Sequence, residues 1–338
     1  MLDPANLDNT TIAKTLENHY GILGVEIAFL PLGYDSASWV YRVRSRDKQS
    51  YFLKVRAAQS FNPASLAIPN YLKAQGLSHI LAPLQAINHT LWVNVGDFVL
   101  SLYPFIEGQN AAGTSLSEQG WHAFGVLIKQ IHACQLPADL LQLLSRESFI
   151  PIRCHLIQDL ENAAARVTHN NPEEREISEF WHAQKNIIRT IVDTSDALAN
   201  QLRRAPAPQL ILCHADMHTW NVLLDTENQF WLIDWDEAIL ALKERDLMFA
   251  VGGIGGDGVG TKQTSWFLQG YGDHIINPTA LAYYRCAWAV QDIAGFGGLV
   301  FFAPERSQES RHAAMEGFMN LFNPGEIVDL ALRSTDGL

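Results

Sequence analysis

Residues 211–236 constrain this chain more than any other stretch. An apolar run, Leu210 to Cys213, enters a polar segment that carries His214, Asp216 and Asn221. A short strand over Val222–Leu224 is expected next. Asp225-Thr226-Glu227-Asn228 then has the composition of a hairpin turn, because such side chains bond to nearby backbone groups. A second strand, Gln229–Ile233, brings Asp234 to its far end. The spacing therefore puts one carboxylate in a loop, and an amide and a second carboxylate on the two arms of a hairpin.

Phosphoryl transfer to a hydroxyl needs such a set. One carboxylate orients the hydroxyl and accepts its proton, while an oxygen-rich pair holds Mg2+ against the phosphates of a nucleotide. Protein kinases place these groups in H-R-D-x-x-x-x-N followed by D-F-G. Here the residues are His214-Ala215-Asp216, then Asn221, then Asp234-Trp235-Asp236. The arginine is absent and Asp234 is followed by Trp-Asp, which argues against a protein kinase. The pattern resembles instead the aminoglycoside phosphotransferase and choline kinase group of small-molecule kinases. The continuation Lys243-Glu244-Arg245-Asp246-Leu247-Met248-Phe249, with Gly252 and Gly253 soon after, is most similar to the spectinomycin phosphotransferase branch. Either aspartate alone would pass for an ordinary loop carboxylate; the constellation in strand–loop–strand context carries the resemblance.

The resemblance implies an α/β (α+β) architecture, the bilobal protein-kinase-like fold. Residues 1–103 would form an N-terminal nucleotide-binding lobe of antiparallel sheet plus helix. Residues 104–338 would form a mainly helical catalytic and substrate-binding lobe, with a helical insertion at 137–205 and C-terminal helices over 265–338. It further implies Asp216 as catalytic base, Asn221 and Asp234 as Mg2+ ligands, and ATP as phosphate donor.

Toward the N-terminus, residues 9–20 have helical periodicity, with Asn9, Thr10 and Thr11 as possible caps. Val25–Leu32 and Trp39–Val43 suit two strands, joined by Gly33-Tyr34-Asp35-Ser36-Ala37-Ser38. In a kinase-like fold this hairpin lies over the phosphates, which implicates Gly33 and Ser36; a plain hairpin turn is the alternative. Tyr51–Val55 is an apolar strand with Lys54 in its middle, where the kinase template puts its phosphate-contacting lysine. That template also supplies a helix glutamate to pair with the lysine. The helix expected over 63–75 has no acidic residue, and neither does the whole stretch 57–96. Lys54 would then be held by Asp234 and the nucleotide, or by a polar substitute such as Ser65, Asn70 or Gln75.

Leu91–Val95 and Phe98–Leu102 form a hairpin pattern around Gly96-Asp97. Tyr103-Pro104-Phe105-Ile106-Glu107-Gly108 resembles the family's hinge, in which the backbones of Tyr103 and Phe105 would bond the adenine edge. Ser117-Glu118-Gln119 caps a helical run through Ile131, and His132 at its end suits a structural hydrogen bond. Leu156–Val167 and Ile177–Leu202 are amphipathic; by resemblance they line the acceptor pocket. Glu244-Arg245-Asp246 begins another helix, and Asp246 resembles the buried aspartate that braces the catalytic loop. Helices are expected over Ser265–Tyr271 and Thr279–Phe302. Tyr284, Trp288 and Asp292 on the latter form either a cation-binding wall or a plain apolar face.

Composition bounds the partners. The 338 residues are 48% hydrophobic and 18% charged, as in ordinary globular proteins. The longest apolar candidate for a membrane span, Cys286 to Ala303, is broken by Gln291, Asp292 and glycines. The N-terminus lacks a signal-peptide pattern, and four scattered cysteines suggest reduced thiols and a cytoplasmic setting. A formal charge of −12 disfavours nucleic acid and anionic membrane as partners and suits a small cationic substrate. By resemblance that acceptor is an aminocyclitol antibiotic of the spectinomycin type, and phosphorylation would confer resistance. Asp236 and Asp292 would meet its protonated amines, with Trp235 beside them. Choline, homoserine and methylthioribose are alternative acceptors. A non-catalytic pseudokinase is a further reading, with the missing helix glutamate as its best support.

Overall fold

The computed structural model describes residues 4–32, 37–150, 154–166, 171–206, 208–273, 275–304 and 306–336. Gly33 and Ser36 lie outside the described residues. In chain order the first elements are α1 (Asn9–Tyr20), β1 (Glu26–Leu30), β2 (Ser38–Arg44), β3 (Ser50–Ala57) and α2 (Ala64–Ala74). There follow β4 (Val93–Val95), β5 (Phe98–Pro104), β6 (Gly108–Asn110), α3 (Ala111–Thr114), α4 (Glu118–Ala133), α5 (Ala138–Leu141) and β7 (Ser145–Arg146). Next come α6 (Cys154–Arg166), α7 (Pro172–Arg204), β8 (Ile211–Cys213), β9 (Val222–Asp225), β10 (Phe230–Leu232) and β11 (Ile239–Ala241). The chain closes with α8 (Glu244–Ala250), α9 (Thr261–Tyr271), α10 (Pro278–Phe301), α11 (Gln308–Asn320) and α12 (Ile327–Arg333).

These elements form two compact units. The first comprises Met1–Gly120, Ala133–Ser145 and Thr219–Ala238; the second comprises Trp121–His132, Arg146–His218 and Ile239–Leu338. The antiparallel sheet of the first unit and the helices of the second match the α+β, kinase-like architecture expected from the sequence.

In the first unit five strands run in the order β1-β2-β3-β5-β4, every pairing antiparallel. Alternation across the strands divides the sheet chemically. Leu53 and Val55 of β3, Leu100 and Leu102 of β5, and Tyr41 and Val43 of β2 turn to one face. There they bury against Ile12 and Leu16 of α1. Each aliphatic side chain so buried contributes about 1.5–3 kcal/mol. The intervening residues, Phe52, Lys54 and Arg56 opposite Tyr103, Ser101 and Val99, occupy the other face. α1 is capped not by the expected Asn9, Thr10 or Thr11 but by Asp8, whose carboxylate accepts the Thr11 N–H at 2.9 Å. A carboxylate at that position also opposes the positive end of the helix dipole.

A second sheet of the first unit, β10-β9-β6, contains the expected hairpin. Asp225 Oδ1 accepts the Glu227 and Gln229 N–H groups, each at 2.9 Å, and so closes its turn. The segment expected as a hinge supplies β6, in which Gly108 pairs with Asp225.

The second unit is built round α10, which packs against α6, α7, α8, α11 and α12. Its composition is apolar on nearly every side, as a central helix must be. α7 starts at an Asn171 cap followed by Pro172 and runs unbroken for 33 residues. α8 follows β11, which pairs with β8 and so anchors the segment after Cys213. None of the helices among the described residues is long and apolar enough to cross a membrane.

Candidate active site

In the first unit, β3 delivers two cations to one face. Lys54 and Arg56 are 9% and 6% exposed, so both need partners. Lys54 Nζ lies 3.0 Å from Asp234 Oδ1 and 3.0 Å from Asp236 Oδ2. Arg56 Nη2 donates to the Asp236 carboxylate, and Arg56 Nη1 to Ser65 Oγ of α2 at 3.4 Å. Burial alone would depress the pKa of Lys54, but Asp234 and Asp236 outweigh it and hold the ammonium above its ordinary value. Arg56 follows the same balance, with Asp236 as the main opposing group. Both side chains are therefore firmly charged. Asp236, expected from the sequence at an acceptor amine, has its carboxylate taken up by these two cations instead.

The β9–β10 hairpin aligns the other oxygen donors. Val222 pairs with Leu232, so Asn221 and Ile233 follow side by side, and the Ile233 N–H donates to the Asn221 carbonyl at 3.0 Å. Asp234 comes next with φ of 61°, a left-handed conformation that a short polar side chain tolerates. Trp235 is only 2% exposed, which makes it part of the core packing. A carboxamide and a carboxylate are hard oxygen donors of the kind Mg2+ takes, so Asn221 and Asp234 fit that ion.

Tyr103 ends the polar face of β5, with its phenol pushed up to about 12, mainly by burial. Phe105 follows, with the Arg42 guanidinium 4.3 Å from its ring centre. Arg42 also pairs with Glu107.

In the second unit, the loop after β8 is organised by Asp246, which is fully buried at the start of α8. Its carboxylate accepts the His214 N–H at 3.0 Å and the Ala215 N–H at 2.6 Å. His132 Nε2 of α4 lies 2.9 Å from it, and His132 Nδ1 lies 2.8 Å from the Tyr271 hydroxyl. Burial would raise the Asp246 pKa, but the His132 hydrogen bond and charge, the nearby His214 and the Ala215 N–H bring it below the ordinary carboxylate value. This is the bracing role expected of Asp246 and the structural bond expected of His132. Ala215 takes a φ of 67° here, costly for any residue with a Cβ. The Asp216 N–H donates to His214 Nδ1 at 3.3 Å, and its carboxylate faces His218 Nε2 at 3.2 Å.

Asp292 is half-buried on α10. Of the aromatic wall expected beside it, Tyr284 and Trp288 are buried, and the Arg245 guanidinium lies 5.8 Å and 5.1 Å from their ring centres. The cation against those rings is thus the chain's own.

Sequence reasoning missed two residues of these clusters, Arg56 and His218. Both carried a signal, since Arg56 shares a strand face with Lys54 and His218 lies two positions after Asp216.

A kinase-like fold, a paired strand lysine, an aspartate-braced loop and an Asn–Asp hairpin define a phosphotransferase of the small-molecule kinase class. Residues 26–284 match the phosphotransferase enzyme family (APH), and the chain belongs to that family. It is a phosphotransferase with an alcohol group as acceptor. The structure of spectinomycin phosphotransferase APH(9)-Ia in complex with ADP and spectinomycin is 28% identical, with a TM-score of 0.88. The match covers 97% of this chain and 99% of that one. The AMP-bound complex of the same enzyme gives a TM-score of 0.84 at the same identity and coverage. A microcompartment-associated aminopropanol kinase, 18% identical with a TM-score of 0.64 over 98% of this chain and 99% of that one, shares the fold.

Proposed function

We propose that this chain transfers the γ-phosphate of ATP to a hydroxyl of an aminocyclitol antibiotic, spectinomycin foremost, and so confers resistance to it. The observation that carries this reading is the near full-length likeness to an enzyme seen with ADP and spectinomycin, at a TM-score of 0.88. Asp216 orients the acceptor hydroxyl and takes its proton. Asn221 and Asp234 hold Mg2+, which when bound offsets charge on the phosphate oxygens. Lys54 clamps the phosphates. The backbones of Tyr103 and Phe105 meet the adenine edge.

Residues 1–103 form the nucleotide-binding lobe and 104–338 the catalytic and substrate-binding lobe, with the insertion at 137–205 as a wall of the acceptor pocket. Asp292 is the carboxylate assigned to an acceptor amine. The rate gain comes from holding hydroxyl and phosphate in line and from neutralising charge, because the transition state is loose. The reading rests on a cytoplasmic enzyme that finds ATP and a cationic acceptor in solution.

The test is ADP release in a coupled assay with Mg2+-ATP and a panel of spectinomycin, kanamycin, streptomycin, choline, homoserine and methylthioribose. Release driven by spectinomycin alone is the expected result, and chelation of Mg2+ with EDTA should abolish it. Release driven instead by choline, homoserine or methylthioribose would keep the kinase and discard the antibiotic. ATP binding with no release from any acceptor would favour a pseudokinase.

A further inference from the structure

We infer that Arg56 and Asp236 together take the place of the helix carboxylate that this chain lacks, and position Lys54 for the nucleotide phosphates. The inference rests on the proposed role of Lys54 as phosphate clamp and goes beyond it. A buried ammonium is stable only when paired, and the acid-free stretch 57–96 leaves α2 with nothing negative to offer. The pairing is met from the other side. Asp236 Oδ2 lies 3.0 Å from Lys54 Nζ, and the same carboxylate receives the Arg56 guanidinium.

Arg56 in turn donates to Ser65 Oγ on α2. The helix is thus linked to the lysine by a relay from Ser65 through Arg56 and Asp236 to Lys54. Its polarity is reversed: the helix gives a hydroxyl, the strand a guanidinium, and the segment after Asp234 the carboxylate. Charge also closes locally, with Lys54 and Arg56 set against Asp234 and Asp236. A guanidinium suits the relay better than an ammonium, because its planar fork can hold a carboxylate and a hydroxyl at once. Arg56 makes no claim on the nucleotide here; it is a positioning residue that acts through Lys54.

The experiment is a mutant cycle on the full-length chain, with ATP affinity read by calorimetry and kcat and KM read by ADP release. Arg56→Met should weaken ATP binding and raise the KM for ATP, each on the order of tenfold, and leave the KM for the acceptor unchanged. Lys54→Met should show a loss at least as large. In the Lys54→Met background, Arg56→Met should add less than about twofold, because the residue it positions is gone. Additive losses would overturn the inference, as would unchanged ATP affinity in Arg56→Met while Lys54→Met is impaired. If Lys54→Met binds ATP normally, the clamp reading itself fails and takes this inference with it. Should Arg56→Met melt out, Ser65→Ala and Arg56→Lys carry the same test with smaller expected losses of about two- to fivefold. Full ATP affinity in both would overturn the relay.

Discussion

Asp216 is where the proposed chemistry is most exposed to test. Asp216→Asn keeps the shape of the side chain and removes the base, so turnover should drop on the order of 10²–10⁴-fold with ATP affinity near normal. A near-normal rate in that variant would end the mechanism. Asp246 acts one step back: three donors converge on it in a fully buried site. Asp246→Asn should cost about 3–5 kcal/mol in urea unfolding, since it leaves buried donors short of an acceptor. Asp257 pulls the other way. It is 4% exposed, accepts the Ile254 and Val259 N–H groups, and burial pushes its pKa up to about 6. A raised carboxyl pKa contributes stability that is complete below the ordinary value near 4 and is lost as pH rises through about 6, a span of about 3 kcal/mol. The melting temperature of the wild type should therefore fall relative to Asp257→Asn between pH 4 and pH 7; parallel curves would contradict it. The hairpin that carries Asn221 and Asp234 was legible because its turn residues and flanking apolar runs punctuate it. Asp257 was not, because burial depends on Gly253 and Val259 folding over it, and no local pattern encodes that.

Elements were legible where period and punctuation agree. The run Trp121, Phe124, Leu127, Ile128 and Ile131 marks α4, and all five side chains are buried. The Gly96-Asp97 turn likewise separates β4 from β5. Three-residue strands such as β6 and β11 were not legible, since they exist only through pairing with β9 and β8. Nor was the partner of α4. A Cβ on Gly125 would lie 2.1 Å from the Phe267 carbonyl oxygen of α9, and one on Gly270 would lie 1.9 Å from that of His122. The two helices therefore cross backbone to backbone, a contact that periodicity cannot announce. Gly125→Ala or Gly270→Ala should destabilise the chain by about 3 kcal/mol or more, because backbone cannot move aside as a side chain does. Equal or higher melting temperature in either variant would show that the crossing is loose.

At the scale of the whole molecule, a formal charge of −12 sets a field that the two proposed substrates meet with opposite sign. A protonated aminocyclitol is drawn in, whereas ATP is repelled at long range. Salt screens such long-range terms within about 8–10 Å at physiological strength, while the buried ion pairs themselves are little affected. Raising ionic strength should therefore lower kcat/KM for spectinomycin by about three- to tenfold and leave kcat/KM for ATP level or higher. Net charge was readable from composition, but its bearing on function depends on which charges are already neutralised. Lys54 and Arg56 are offset by Asp234 and Asp236, so the steering charge is that of the remaining surface. If the acceptor were instead a zwitterion such as homoserine, its kcat/KM would stay flat across the same salt series. Steady-state rates at two ionic strengths thus separate a cationic acceptor from a neutral one.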